Sequence, residues 1–312
     1  MLIAGPNLTI DRTSRIAELR PGDVLRLADV AVTPGGKGLN VARAARALGV
    51  PAELVAFLPG RTGQAAGELI AEEGVALRGV PVAGEIRSTA VILEPARATV
   101  LNEPGPPLGA GDWDTLEAEV ASALGGHGVL VCSGSLPPDA PEDGYARLAR
   151  LAPVAIVDAT GSTLAAALAA APAVVTPNLA EAEGVLFGRG DEAVEASPEA
   201  SEHAVTAARE LVRAGARAAV VTAAAAGAAV ASDHGAWWIA APRVEAVANP
   251  IGAGDVLAAG LASGLEAGLG VLDAAVRGVA AAAAGVQAAL AGDLDVGIMA
   301  ALLPQVRPTA AG

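Results

Sequence analysis

Short apolar runs alternate with helix-spaced segments along the second half of the chain. From about residue 128 the run GVLVCSG precedes EDGYARLARLA, VAIVDAT precedes STLAAALAA, and AVVTPN precedes AEAEGVLFG. This alternation is typical of βαβ units, whose helices cover both faces of a parallel sheet. Helical spacing continues at about 199–214, 254–267 and 272–291. The pattern predicts a single α/β domain over residues 1–312, doubly wound, with a mainly parallel sheet sandwiched by helices.

Two stretches near the start of the chain, at about 8–33 and 86–102, depart from this rhythm. Both alternate in the manner of β-strands and contain no helical segment. We expect them to form a small antiparallel sheet that projects from the main domain as a lid over a site. The alternative is that they extend the main sheet as edge strands. Because lid sheets with an apolar face often pair, a homodimer through the lid is a possible assembly.

The charge balance limits the classes of partner. The formal net charge is −14, which argues against a nucleic-acid surface and against adhesion to anionic membranes. An anionic substrate must therefore meet a local positive site. Eleven of the 20 Lys and Arg residues lie between Arg12 and Arg97, so we expect that site in the N-terminal third.

The apolar content belongs to a core rather than to a membrane segment or a leader. The run AAVVTAAAAGAAVA at 218–231 is too short to span a bilayer and predicts a buried strand pair. The N-terminus lacks a positive region ahead of an apolar stretch, so no signal peptide is expected. The one cysteine, Cys132, cannot form an internal disulfide, which favours a cytoplasmic location.

The segment NPIGAGDVLAAGLASGL at 249–265 carries the first chemical signal. Gly252, Ala253 and Gly254 place small residues directly before a predicted helix, and Asp255 falls in its first turn. Free backbone N–H groups at a helix start bind anions and stabilise developing negative charge. An aspartate that only caps the helix is the alternative interpretation.

A second signal is TPGGKGLNVARAARALG at 33–49. Its glycines allow close backbone approach, Asn40 can hydrogen-bond a polyol, and Lys37 is the only lysine of the chain. A glycine-flanked lysine is suited to phosphate as a compact point charge. The alternative is an exposed, solvated side chain.

These two segments, in this order, resemble the paired signatures of the PfkB, or ribokinase-like, carbohydrate kinases. LTID, NEPGP, SGSLPP, DATGSTLAAAL and PNLAEAE extend the resemblance from Asn7 to about Leu290. They are similar to the branch of 1-phosphofructokinase and tagatose-6-phosphate kinase. The resemblance implies an enzyme that uses ATP and Mg²⁺ to phosphorylate a sugar phosphate.

The resemblance also implies roles for individual residues. Asp255 would be the general base, with Gly252, Ala253 and Gly254 as the anion hole. Asp11, Gly36 and Asn40 would hold sugar hydroxyls, Lys37 and Arg87 would lie near the phosphate already on the sugar, and Ser135 would also contact the substrate. Asn178 and Glu181 would position Mg²⁺ and the ATP phosphates, Glu181 through water, while Thr222 and Gly227 would belong to the nucleotide loop. Asn178 and Glu181 could instead simply cap a helix.

Three positions depart from the branch pattern. The nucleotide loop VTAAAAG has Ala224 where a glycine is expected, Val91 stands near the place of a frequent lysine, and Pro250 replaces a more frequent threonine. Because of the missing lysine, we expect a weaker phosphate contact or a contribution from Arg26.

The resulting hypothesis is a kinase that phosphorylates a primary hydroxyl of a ketohexose phosphate, with fructose 1-phosphate as the expected substrate and fructose 1,6-bisphosphate as the product. Tagatose 6-phosphate and fructose 6-phosphate remain open as substrates. The altered nucleotide loop motivates a second hypothesis, a catalytically weak sensor of sugar phosphate or nucleotide. A nicotinamide-dependent oxidoreductase is less favoured, because GGKG lacks the G-x-G-x-x-G spacing.

Overall fold

The chain folds around a large sheet of ten strands and a second sheet of four. The computed structural model describes residues 1–95 and 97–312; residue 96, inside the second predicted lid stretch, lies outside the described part. The described strands are β1 Leu2–Ala4, β2 Thr9–Arg15, β3 Ala31–Gly35, β4 Glu53–Pro59, β5 Ala76–Val82, β6 Arg87–Leu93, β7 Ala98–Asn102, β8 Leu130–Ser133, β9 Ala155–Asp158, β10 Val174–Val175, β11 Ala218–Ala223, β12 Gly227–Ser232, β13 Gly235–Ala240 and β14 Pro308–Ala310. The helices are α1 Lys37–Ala47, α2 Gly60–Glu72, α3 Asp112–Ala123, α4 Gly144–Ala149, α5 Gly161–Leu168, α6 Leu179–Phe187, α7 Ala200–Arg213, α8 Ala253–Glu266, α9 Val271–Gly285 and α10 Val296–Leu302.

The large sheet has the order β14-β13-β12-β11-β10-β9-β8-β1-β4-β5. Pairing is parallel from β11 to β5 and antiparallel from β11 to β14. The prediction of a mainly parallel sheet is confirmed. The apolar run at 218–231 forms the antiparallel pair β11 and β12, as expected.

Alternate residues of the central strands enter two separate cores. Ile3 and Val131 pack in one core, which also contains apolar side chains of α1, α2, α8, α9 and α10. Their neighbours Leu2 and Leu130 pack in the other core, with α3, α4, α5, α6 and α7. Because side chains of a strand point alternately to the two faces of the sheet, a strand made entirely of apolar residues contributes side chains to both cores. The helices therefore cover both faces of the sheet.

The small sheet has the order β3-β2-β6-β7 and is separate from the large one, so the alternative of added edge strands is wrong. The expectation that it is wholly antiparallel is also wrong. β2 pairs with β6 in parallel, whereas β2 with β3 and β6 with β7 are antiparallel. Each of the two stretches forms an antiparallel strand pair. The first strands of the two pairs, β2 and β6, then lie side by side in parallel.

The predicted helices near the C-terminus are present, although α9 ends earlier than the apolar spacing suggested. It ends at Gly285, and the carbonyl oxygen of Val286 accepts hydrogen bonds from the N–H groups of Ala248 and Asn249, at 2.8 and 3.1 Å. The loop before α8 thus satisfies this carbonyl. Within the described part of the chain, no helix has the length and apolar character needed to cross a bilayer.

Candidate active site

Two adjoining cavities lie where strands of the large sheet end. One has a volume of about 860 Å³ and is lined by residues that include Thr222, the last residues before α8, and Val279. The other, about 620 Å³, is lined by residues that include Asn7, Arg87 and Ser133. In open α/β sheets ligands bind outside the carboxyl ends of the strands, which is the position of both cavities.

Asp255 lies at the start of α8, against the larger cavity. Gly252 is the N-cap residue and has a φ of 85°, a left-handed conformation that glycine adopts without steric cost. A side chain at Gly254 would enter open space, so the main chain of this turn faces the cavity directly. The arrangement brings free N–H groups and a carboxylate to the same point.

The carboxyl group of Asp255 is only 4% exposed. Its Oδ2 accepts a hydrogen bond of 2.8 Å from Nδ2 of Asn40, although the two residues are 215 positions apart. Burial raises the pKa of Asp255 to about 7, and the negative charge of Asp158 adds to the effect, while Lys37 and the Asn40 bond oppose it. A carboxyl with this pKa exchanges its proton near neutral pH, as a general base requires.

Lys37 lies at the junction of the two cavities and lines both. Its Nζ is 3.4 Å from Oδ2 of Asp158 and 3.9 Å from Oε1 of Glu181, with the side chain 42% exposed. Asp158 raises the pKa of Lys37, so the ammonium stays charged at neutral pH. Lys37 is therefore paired, not freely solvated. The pairing places the positive charge of Lys37 beside Asp158 and Glu181, at the junction of the two cavities.

In the wall of the smaller cavity, the Arg87 guanidinium hydrogen-bonds to backbone carbonyl groups. Arg87 donates from Nε and Nη2 to the carbonyl of Asn7, at 3.3 and 3.2 Å, and from Nη1 to the carbonyl of Glu103, at 3.3 Å. Burial lowers the pKa of Arg87, which means that its charge is poorly solvated. Asn7 also donates to Oγ of Ser135, at 3.1 Å. A half-buried guanidinium beside a hydroxyl and an amide is suited to bind an anion.

The predicted sugar-binding residues are not all in the wall of this cavity. Gly36, the N-cap residue of α1, lines it. Asp11 lies on β2, its Oδ1 buried without a hydrogen-bond partner among the described residues, and burial raises its pKa. Asn40 is 8% exposed and lies behind the wall, against Asp255. Arg26 is exposed in the segment between β2 and β3.

The larger cavity has a turn of small residues at one end. Thr222, Ala224 and Gly227 all line it. Gly227 has a φ of 136°, and a Cβ there would lie 2.1 Å from the carbonyl oxygen of Ile239, so only glycine fits. Ala224 has a φ of 42°, in the left-handed region. The residue where the family pattern has glycine thus adopts a conformation that glycine prefers.

Asn178 and Glu181 form a capping box at the start of α6, so the capping interpretation is confirmed. Oδ1 of Asn178 accepts from the N–H of Glu181 at 2.7 Å, and Oε2 of Glu181 accepts from the N–H of Asn178 at 2.9 Å. Capping does not exclude the predicted metal role. It uses one oxygen of Glu181, and Oε1 remains on the side of Lys37, in the wall of both cavities.

The carboxylates of Glu181 and Asp158 fit a Mg²⁺ site in which water and substrate phosphates supply the remaining ligands. Among the described residues, no three His, Cys, Asp or Glu side chains form a cluster that could hold a metal ion. Mg²⁺ keeps several waters and commonly takes only one or two protein carboxylates together with substrate phosphates. Glu181, with Asp158 nearby, meets that requirement at the cavity junction.

Several residues of the site were missed by sequence reasoning. Asp158 is 5% exposed, accepts from Oγ of Ser133 at 3.0 Å and pairs with Lys37. Its position directly after the apolar run AIV was a usable signal, because a polar residue at the end of a buried parallel strand points to the ligand edge. Apolar residues that line the larger cavity gave no such signal; they include Pro242, Val244, Val247, Val279 and Val286.

Comparisons with known proteins agree with this architecture. The family described as pfkB family carbohydrate kinase matches residues 7–295. The 1-phosphofructokinase of Haloferax volcanii is 33% identical over 281 residues, which cover 89% of this chain and 88% of that protein. Phosphofructokinase-2 from Escherichia coli, in a crystal structure with potassium, has a TM-score of 0.87 and 26% identity, covering 98% of each chain. A structure of that protein in complex with fructose-6-phosphate has a TM-score of 0.83 and 27% identity, covering 97% of this chain and 98% of the other.

The chain belongs to the pfkB family of carbohydrate kinases. It is therefore a sugar kinase that uses ATP and Mg²⁺, and the expected fold, enzyme class and cofactors are confirmed. The sensor and oxidoreductase hypotheses lose their support. The roles of the individual residues remain proposals.

Proposed function

We propose that this kinase phosphorylates fructose 1-phosphate at its free primary hydroxyl and forms fructose 1,6-bisphosphate. The observation that carries the proposal is the pair of cavities, with Asp255 and Lys37 beside their junction. The Haloferax volcanii relative is a 1-phosphofructokinase, which favours this substrate. Fructose 6-phosphate is the alternative, because the E. coli relative has been solved in complex with it.

In this proposal the nucleotide occupies the larger cavity and the sugar phosphate the smaller. Asp255 orients the primary hydroxyl and accepts its proton as the oxygen attacks the γ-phosphorus of ATP in line. The bond between that phosphorus and the β–γ bridging oxygen breaks, and ADP leaves. The N–H groups at the start of α8, from Gly252 to Gly254, stabilise the charge of the transferred group. Glu181 would hold Mg²⁺ through water, and the ion would offset negative charge on the ATP phosphates.

The two cations have different roles in this proposal. Arg87, together with Ser135, binds the phosphate already present on the sugar, in the smaller cavity that both residues line. Lys37 was expected to share that role. Its ion pairs with Asp158 and Glu181 support a different one, in which Lys37 faces the group being transferred. Asp11 and Gly36 bind hydroxyl groups once the lid closes over the sugar, whereas Asn40, which was expected to do the same, holds Asp255 instead.

The lid supports a proposed homodimer. Apolar side chains are exposed on it, among them Val24, Leu27, Val32 and Leu101. A second copy of the lid would cover these side chains and remove them from water. We also propose a cytoplasmic location, because ATP and sugar phosphates are cytoplasmic metabolites and Cys132 is a buried thiol. The net charge of −14 continues to argue against nucleic acid as a partner.

An ADP-release assay over a substrate panel tests the proposal. The panel contains fructose 1-phosphate, fructose 6-phosphate, tagatose 6-phosphate, free fructose, ribose and adenosine. We expect the highest kcat/KM with fructose 1-phosphate and little activity with the unphosphorylated compounds. A higher kcat/KM with either 6-phosphate would assign the alternative substrate, and equal activity on free fructose would contradict the phosphate role of Arg87.

A further inference from the structure

Asn40 holds the carboxyl group of Asp255, and this raises the question of what holds Asn40. The two ends of an asparagine amide have almost the same shape, so packing alone selects poorly between its two orientations. In one orientation the NH₂ group donates to Asp255. In the other, the amide oxygen would face the carboxylate and repel it. A productive base therefore needs a third group that fixes the amide.

Arg43, one helical turn after Asn40 on α1, is in a position to do so. Its Nη1 donates to Oδ1 of Asn40 at 3.1 Å. An arginine side chain has donors only, and Asp255 in the ionised form that a base requires has acceptors only. The amide of Asn40 therefore satisfies both neighbours in a single orientation, with its oxygen toward Arg43 and its nitrogen toward Asp255.

Arg43 is itself fixed in place by two further contacts. Its Nε and Nη2 form a bidentate pair with the carboxylate of Glu73, both at 2.7 Å, and Nη2 also donates to the carbonyl of Pro34 at 2.7 Å. The Arg43 side chain is 12% exposed. Four of the five N–H donors of a guanidinium are thus used, and lysine has no comparable fork.

The position of Glu73 supports a purpose for this pair. Glu73 is the C-cap residue of α2. A carboxylate at this end of a helix faces the negative end of the helix dipole, which is unfavourable unless a cation compensates. Here the bidentate contact with Arg43 compensates it, and the same guanidinium bonds both Pro34 on the lid strand β3 and Asn40 beside the base.

We propose that Arg43, fixed by Glu73, is a positioning residue for catalysis: it orients the amide of Asn40 so that Asn40 donates to Asp255. Arg43 acts through Asn40 and need not touch either substrate. The inference rests on the proposed role of Asp255 as general base. It assigns a function in turnover to an ion pair that would otherwise be only structural.

The test uses the full-length enzyme and the variant Arg43→Met, which keeps an apolar stem but removes every donor. We expect kcat to fall roughly ten- to hundredfold, because small misplacements of a catalytic group are costly, while KM for ATP and for the sugar phosphate changes little. Arg46→Met, an exposed arginine one turn later on α1, is the matched control and should behave as the parent. A fall in kcat for both variants alike would point to a general effect on α1 and overturn the proposal.

A double-mutant cycle separates positioning from a merely structural role. If Arg43 acts through Asn40, then kcat of Asn40→Ala with Arg43→Met should equal kcat of Asn40→Ala alone to within about twofold. If the two losses multiply, Arg43 acts independently of Asn40 and the inference is wrong. Glu73→Ala gives a second route should Arg43→Met fold poorly, since the Glu73 side chain is 29% exposed and its loss should also lower kcat.

Asp255→Asn, measured in the same assay, distinguishes a failure of the base assignment from a failure of the positioning role of Arg43. If Asp255→Asn retains turnover, the base assignment in the proposed function fails. If Asp255→Asn is inactive while Arg43→Met turns over within about twofold of the parent, the proposed function stands and only the positioning role of Arg43 is refuted.

Discussion

The two cavities differ in how they are built. The larger one, about 860 Å³, is walled mainly by small and apolar side chains from α9 and from the loop before α8. The smaller one, about 620 Å³, has a larger share of polar residues in its wall, among them Asn7, Arg87, Ser133 and Ser135. Apolar walls recognise a ligand by shape, whereas a few placed polar groups fix its orientation and identity. Nucleotide binding should therefore tolerate substitutions that sugar-phosphate binding does not.

The residues beside the junction belong to neither pattern. Asp255, Asp158 and Lys37 are charged and close together, with Asp255 and Asp158 buried. Burying like charges is unfavourable unless a cation offsets them, and Lys37 does so only in part, because the pKa of Asp255 is still raised. This unfavourable local electrostatics is typical of a site selected for chemistry rather than for stability. The predictions below separate the junction from the two cavities.

The largest effect is expected at the junction. Asp255→Asn removes the base but preserves the shape of the side chain and an acceptor for Asn40. We expect kcat to fall by about 10² to 10⁴, as is usual when a positioned base is removed, with both substrates still binding. Single-turnover kinetics and calorimetric titration of the sugar phosphate measure the two quantities separately. Turnover within a few-fold of the parent would refute the base assignment.

The next prediction contrasts the two cations. Arg87→Ala should raise KM for the sugar phosphate by roughly 10- to 100-fold, because a charged hydrogen bond to a phosphate that does not react is made equally in ground and transition states. Lys37→Ala should mainly lower kcat, because in the proposed arrangement its ammonium faces the transferred group. Steady-state kinetics with varied sugar phosphate distinguishes these outcomes.

Free fructose, which has no phosphate, is the control for both cation variants. Arg87→Ala should leave any slow activity on fructose unchanged, whereas Lys37→Ala should reduce it. If Lys37→Ala instead raises KM for the sugar phosphate with kcat intact, then Lys37 belongs to the phosphate already on the sugar, as the sequence first suggested.

The contrast between the cavities also explains how much the sequence could predict. The doubly wound sheet, the separate small sheet and the turn before Asp255 were predictable, because each leaves a local pattern of apolar spacing or small residues. The parallel pairing of β2 with β6 was not predictable. It pairs Thr9 with Arg87, which are 78 residues apart along the chain. The ion pairs of Lys37 and the contact of Asn40 with Asp255 likewise depend on long-range packing.

The pKa of Asp255 predicts a pH dependence. Because the base must be ionised and burial raises its pKa to about 7, log kcat/KM should fall with decreasing pH below about 7 and be level above it. One unit below the pKa the loss should be about tenfold. Arg87→Ala keeps Asp255 and should show the same fall of log kcat/KM below pH 7. If the pH of this fall shifts in Arg87→Ala, the fall belongs to ionisation of the substrate phosphate and not to Asp255.

The same group has the opposite effect on stability. The pKa of Asp255 is higher in the folded than in the unfolded state, so wild-type stability decreases as pH rises from about 4 to about 7 and is then level. Asp255→Asn has no such loss. Its thermal midpoint should exceed that of the parent by roughly 2 to 6 °C at pH 8, and by less at pH 5. A midpoint difference that does not grow with pH would contradict the raised pKa.

The smallest effect is expected on the nucleotide side, at Ala224. This residue has a φ of 42°, in a region where an alanine costs about 1 kcal/mol relative to glycine. Ala224→Gly removes that strain and takes a Cβ out of the cavity wall, although glycine also gains freedom in the unfolded chain. We expect KM for ATP to fall roughly two- to fivefold, with kcat and KM for the sugar phosphate unchanged, because an apolar wall tolerates the change. Ala226→Gly is the matched control in the same turn, where φ is not positive, and it should not lower KM for ATP. If both variants lower KM equally, flexibility of the turn and not strain at Ala224 limits nucleotide binding.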